Sequence, residues 1–240
     1  MTLVNELKRK VIQAAIICEM EGLCEAFGHV TVRIPGTDHI LMTPQGPPGQ
    51  TKLSDVVELT LSGEKVGGRG KPNTELPIHT SIYRVRSDVQ SVVHMHPPKV
   101  IAFSIAGKEI FPMRSSDKRF YPSVKIFGDP GGDVYIASKE LGDQMAQALG
   151  DGFALMLRGH GSVTVGDSIE AACLNSIGLE KAAEFQFMAS MLLLSQATAK
   201  DFKTPILSQR DPVNKARIQK RDWDFYVLKL NQYLKKGGRS

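Results

Sequence analysis

The run VQSVVHMHPP, from Val89 to Pro98, limits the fold of this chain more than any other segment. Its β-branched residues favour a strand. Pro97 and Pro98 cannot continue a regular hydrogen-bonded element, so the strand ends there. Side chains on a strand alternate between faces, so His94 and His96, two positions apart, project from the same side. Two neutral ring nitrogens placed this way are half of a transition-metal site. A third imidazole, His160, stands downstream in the loop-like RGHG, where flanking glycines let backbone and metal come close. Three such ligands leave room for a substrate. Spacing alone keeps the alternatives open, since a lone His-x-His is often structural and Gly-His-Gly is often only a tight turn.

The segments on either side read as a mixed α/β pattern. Leu3 to Phe27 carries apolar residues near a 3.6 period and is expected to be a helix loosened at Gly22 and Gly28. VTVRIPG and HILMTPQG flank a turn, which predicts a hairpin with Thr31 and Val32 on one arm and Ile40 and Leu41 on the other. The Gly- and Pro-rich stretch that follows contains the strand-like ELTLSG and reads as loop and hairpin. Thr74 is placed to cap a helix with Pro77 in its first turn, and Glu75 and His79 lie four apart along it. A helix over Lys99 to Ala106, a turn at GDPGGD, a capped helix in SKELGDQMAQALG and a buried strand FALMLR complete the central part. A long helix then starts at SIEAAC, apolar enough to be buried on more than one side, and a final helix is expected around Trp223 to Leu234.

Bulk properties narrow the classes. A chain of 240 residues suits one domain spanning 1–240. No apolar stretch approaches the roughly 20 residues that span a bilayer, and the N-terminus lacks a signal-peptide pattern, so a cytoplasmic, membrane-free protein is expected. Cys18, Cys24 and Cys173 form no framework and are expected to be buried free thiols. The net charge of +5 comes from the segment 200–240, which holds 11 Lys and Arg against 4 Asp. A local basic segment without a recognised motif is expected to be a solvated or subunit-facing tail rather than a nucleic-acid site. Gly67, Gly68 and Gly70 do not make a dinucleotide fingerprint, so no nucleotide cofactor is expected.

Four ordered blocks, GHVTVRIPG, ILMTPQG, NTELPIHTSIYRVRSDVQSVVHMHPP and LMLRGHGSVTVGDSIEAACLNSIGLEKAAEFQ, resemble the class II aldolase, ribulose-phosphate 4-epimerase and adducin head family. The resemblance covers about Leu7 to Leu194. It implies a three-layer α/β/α domain around a central, mainly antiparallel sheet, and a homotetramer with active sites between subunits. It also implies that His94, His96 and His160 hold a divalent metal, zinc or manganese first and iron or cobalt as alternatives, with Glu75 beside it as the acid/base and sometimes as a fourth ligand.

Such a site stabilises the carbanion left by aldol cleavage, epimerisation or decarboxylation alike. Sugar-phosphate members of the family carry Gly-Asn in the first glycine loop and Ser-Ser before the glutamate; here the positions read Gly28-His29 and Asn73-Thr74. A bulky, titratable His29 fits a phosphate pocket poorly and a carboxylate better. The chain is therefore similar to the branch that decarboxylates hydroxylated aromatic or heteroaromatic acids, and the expected partner is a small-molecule carboxylate substrate. An aldolase or epimerase, a non-catalytic adducin-like module and an iron oxygenase remain as alternatives. His29, Thr43, Asn73 and Thr74 are the candidate substrate contacts, although His29 could equally pack in the hairpin and Thr43 and Gly46 could only shape a turn. His79 is expected behind the site or in the core, and His39 at the surface. Arg114, Arg119 and Tyr121 are further candidates for a carboxylate, possible across a subunit boundary.

Overall fold

The computed structural model describes residues 2–130, 134–194 and 215–236. Helix α1 (Leu3–Met20) starts at Thr2, whose hydroxyl accepts from Asn5 N–H at 3.4 Å. It stops well before Phe27. Gly22 takes a positive φ of 71°, and Leu23 N–H turns back to Cys18 O at 2.9 Å, which closes the helix. The helical period read through Leu23 arises because Leu23, past the turn, still packs into the same core.

Strands β1 (His29–Arg33) and β2 (His39–Met42) form the expected hairpin, with Val32 opposite Leu41. β3 (Val57–Thr60) and β4 (Lys65–Gly67) form a second. Then come α2 (Leu76–Val85), β5 (Ser91–Met95), α3 (Pro98–Ile105), β6 (Ile126–Phe127) and α4 (Lys139–Leu149). β7 (Ala154–Leu157), β8 (Gly161–Gly166), α5 (Ile169–Leu194) and α6 (Lys215–Lys235) complete the order. The sequence pattern passes over β6 and β8: one is two residues long, and the other is bracketed by glycines that read as turn. α6 begins before the expected Trp223, while residues 131–133 of the glycine turn and 195–214 and 237–240 lie outside the described residues.

The strands make one sheet in the order β4-β3-β2-β1-β5-β8-β7-β6, antiparallel throughout except for the β6–β7 pair. β5 is central, and all five of its residues are buried. Its alternation divides two cores. Val93 and Met95, with Val30 and Val32 of β1, face α1, α5 and α6. Val92 faces the opposite way, into a core with Ile78 and Ile82 of α2 and Met145 of α4. Helices therefore cover both faces, giving the α/β/α sandwich that the resemblance implies. Burial of each such Val, Ile or Met side chain stabilises the fold by about 1.5–3 kcal/mol.

The first half of α5 is buried on two sides, Cys173 and Ile177 toward α1 and Leu179 and Ala183 toward α3. Farther along, Phe187, Met191 and Leu192 are exposed. Trp223, Tyr226 and Leu230 dock α6 onto the α1 and α5 layer. Among the described residues no helix is long and apolar enough to cross a membrane.

Candidate metal centre

The face of β5 that carries Val92 also carries His94, and the chain continues in the same sense to His96. Across the β1 ladder His29 sits opposite His94 and Thr31 opposite Val92, so β1 adds its own polar residues to this face. His94 is fully buried, and its Nδ1–H donates to Ser162 O of β8 at 3.1 Å. His160, in the turn between β7 and β8, likewise donates from Nδ1 to Val134 O at 2.8 Å. Tying down the Nδ1 hydrogens leaves both Nε2 lone pairs free and aimed.

Those lone pairs converge. His94 Nε2 lies 3.1 Å from His96 Nε2, and Glu75 Oε2 lies 3.6 Å from Nε2 of both His94 and His160. The four ligand atoms of Glu75, His94, His96 and His160 all fall within 4.8 Å of one another. Metal–ligand distances of about 2.0–2.2 Å place neighbouring donors roughly 3–4 Å apart, so this donor set fits a divalent cation. Glycine makes the approach possible: a Cβ on Gly161 would sit 2.4 Å from Met95 O and 2.8 Å from the His96 ring. Gly28, at φ 143°, would drive a Cβ to 2.6 Å from Met95 Sδ.

Glu75 is held at the mouth of α2. Asn73 Oδ1 accepts Glu75 N–H at 3.0 Å, and Glu75 Oε1 accepts from Ile136 N–H at 3.4 Å. The cap expected from Thr74 is not made. Glu75 is the N-cap residue, and the Thr74 hydroxyl hydrogen-bonds Tyr135 OH. With Pro77 lacking an N–H in the first turn, one of the groups a cap would satisfy is absent.

The electrostatics suit ligation. Burial, and then the neighbouring imidazoles, hold His94 well below the usual histidine range. Burial and His160 bring His96 down to about 4. Burial pushes the Glu75 carboxyl up, but His29, His160 and the Ile136 N–H outweigh it and leave it low. Near neutral pH His94 and His96 are neutral imidazoles beside a carboxylate, the forms that bind metal without first losing a proton.

A cavity of about 550 Å³ opens on the cluster, lined by Glu75, His96 and His160 together with His29, Asn73 and Thr74. Thr43 is not among its lining residues: it is buried in the hairpin, where its hydroxyl accepts Val30 N–H at 3.0 Å. Gly46 does line it, as do Gln45, Phe27 and Tyr135. Tyr135 escaped the sequence reading because VYIAS holds no ligand pattern; its place depends on the contact with Thr74 across 61 residues of chain.

His79 is buried under His29, with its Nε2 2.6 Å from His29 Nδ1. His39 instead bonds Glu58 Oε1 at 2.8 Å. The other carboxylate candidates do not line this cavity: Arg114 pairs with Asp117 at 2.7 Å and Arg119 with Asn175 at 2.6 Å, while Tyr121 is exposed.

Residues 9–187 match the family model described as Class II Aldolase and Adducin N-terminal domain. A 3,4-dihydroxyphthalate decarboxylase of Arthrobacter keyseri is 33% identical over 188 residues, covering 70% of this chain and 74% of the relative. An L-fuculose phosphate aldolase of Methanococcus maripaludis is 30% identical over 169 residues, covering 69% and 87%. In fold, an aldolase II superfamily protein from Pseudomonas syringae superposes with a TM-score of 0.79 at 23% identity, over 97% of this chain and 94% of that one. The imidazole cluster on β5 and the β7–β8 turn is thus set in a known scaffold, and the chain belongs to the class II aldolase and adducin N-terminal domain family.

Proposed function

We propose that the protein is a divalent-metal-dependent carboxy-lyase that removes carbon dioxide from a hydroxylated aromatic, heteroaromatic or keto acid. The observation that carries this reading is His29, a buried imidazole beside the Glu75, His94, His96 and His160 cluster, where a sugar-phosphate pocket calls for a small donor. The similarity to 3,4-dihydroxyphthalate decarboxylase supports the same chemistry.

His94, His96 and His160 would hold the metal, zinc or manganese by their borderline character, with iron and cobalt also compatible. A cation bound there supplies Lewis acidity to an oxygen adjacent to the carbon that bears the carboxylate. Glu75 takes the hydroxyl proton as the substrate enters and returns it to the carbon that carbon dioxide leaves. Asn73 and Thr74 line the cavity on the Glu75 side and offer hydrogen bonds that orient the substrate.

An aldolase acting on a sugar phosphate is the second reading, favoured by the likeness to L-fuculose phosphate aldolase. The protein as a homotetramer is supported by the apolar residues exposed on the outer half of α5, Phe187, Met191 and Leu192. A cytoplasmic setting is supported by three free buried cysteines.

The test is elemental analysis of fresh protein followed by a screen of hydroxyaryl and keto acids for carbon dioxide, and of sugar phosphates for aldehyde. Carbon dioxide release that needs metal but no oxygen is expected. Glu75→Gln should retain metal and lose about 10²–10⁴ in kcat. Aldehyde release from a sugar phosphate, with every acid inert, would overturn the reading.

A further inference from the structure

A polar chain runs from the site into the sheet and has no metal ligand in it. His29 Nδ1 lies 2.6 Å from His79 Nε2, His79 Nδ1 lies 2.7 Å from Thr31 Oγ1, and Thr31 Oγ1 lies 2.8 Å from Tyr83 OH. All four residues are buried. At the open end, His29 Nε2 is a buried nitrogen without a hydrogen-bond partner, and His29 lines the cavity. Glu75 Oε2, 3.9 Å away, is too far to satisfy it. A buried polar atom left open at a cavity wall marks the place where a ligand atom completes the pairing.

The chain has only two consistent directions. Each bond between two neutral rings needs one N–H and one lone pair, so the tautomers of His29 and His79 are locked together. In one direction Tyr83 donates to Thr31, Thr31 to His79 Nδ1, and His79 Nε2–H to His29 Nδ1. His29 then carries its hydrogen on Nε2, facing the cavity. In the other, Thr31 donates outward to Tyr83 or along its long 3.4 Å contact to Val92 O. His29 Nε2 would then turn a bare lone pair on the carboxylate of Glu75, a repulsive arrangement. The first direction avoids this conflict and makes His29 a donor.

We propose that Thr31 and His79 are positioning residues that fix His29 as an Nε2–H donor to a carboxylate oxygen of the substrate. This rests on the carboxylic-acid reading of the site. It makes Thr31, a β1 residue that does not line the cavity, part of what selects an acid over a neutral diol.

The test uses two probes on the metal-loaded protein by calorimetry, 3,4-dihydroxybenzoate and catechol, which differ only by the carboxylate. Thr31→Val should weaken 3,4-dihydroxybenzoate about tenfold, the effect of losing one charge-assisted hydrogen bond, and leave catechol within about twofold. Thr31→Ser, which keeps the hydroxyl, should restore the affinity. His79→Gln, whose amide still donates to His29 Nδ1, should stay within about threefold of the unaltered protein, whereas His79→Leu should behave like Thr31→Val. Metal content and Tm identify any variant that has failed to fold, and the His79 pair decides the question if Thr31→Val does not. Equal weakening of both probes, weakening of neither, or no discrimination between the probes by the unaltered protein would overturn the proposal. Failure of the carboxy-lyase reading appears separately, as absence of carbon dioxide from any acid while these affinities still respond.

Discussion

The two faces of β5 put the same backbone to opposite uses. On one side Val93 and Met95 are fully buried against α1 and α5. On the other, one residue away in each case, Val92 and His94 face α2, and His94 brings an ionisable ring to full burial. The apolar face gains free energy from every atom removed from water. The polar face spends some of it, because neutral imidazoles must stay unprotonated where water would let them take a proton. A cluster that costs stability and converges on one point is organised for ligation, and its burial is tolerated because the face behind it is packed.

Substitutions on the two sides should therefore fail in different ways. The largest effect is expected for His94→Ala, and likewise His160→Ala: bound metal falls to background, and turnover drops by about 10³ or more, since the Lewis acid leaves with its ligand. Tm of the metal-free protein should change little or rise. Metal retained at full occupancy in either variant, measured by elemental analysis, would remove these residues from the ligand set.

Met95→Ala, on the apolar face, should do the reverse. A fully buried methionine cut to alanine costs about 2–5 kcal/mol of stability, read by denaturant unfolding, while metal per folded molecule stays unchanged. Lost metal at unchanged stability would show that the faces are not separable.

The smallest effect is the acid response. Burial lowers His29, His79 and His94 in the folded state, and His96 to about 4. The unfolded chain takes up protons at these residues from about pH 6.5 downward, and the folded chain does not until lower pH. Unfolding is then favoured by acid, so Tm of the metal-free protein should fall steadily from pH 6.5 toward 4. Glu75, low in the folded state, pushes the same way, because its stabilising contribution is lost as it protonates. A flat Tm across this range would show that the imidazoles are solvated.

Legibility in the sequence followed how local each signal was. The β1–β2 hairpin and the Ser138-capped helix α4 lie within short stretches whose period, turn and cap are all visible, and both are found as expected. The end of α1 and the start of α2 differ from the sequence expectation because a carbonyl closure at Gly22 and a distant hydroxyl at Tyr135 take over from local propensity. Thr43, in TPQG beside Gly46, reads as a pocket residue, but its hydroxyl accepts the Val30 amide across the hairpin.

His94 and His96 were a pair before any fold was known, because a strand alternates and these residues are two apart. The sequence by itself also determined that an acidic residue lies at the start of a helix and that a histidine lies between glycines. Only the tertiary structure decided that Glu75, His94, His96 and His160 share one point, since β1, β5 and β8 must first lie side by side and α2 must close over them. Only the tertiary structure, too, set His79 and Thr31 behind His29, because hydrogen bonds across 50 and 48 residues leave no local trace in a pattern of residue types.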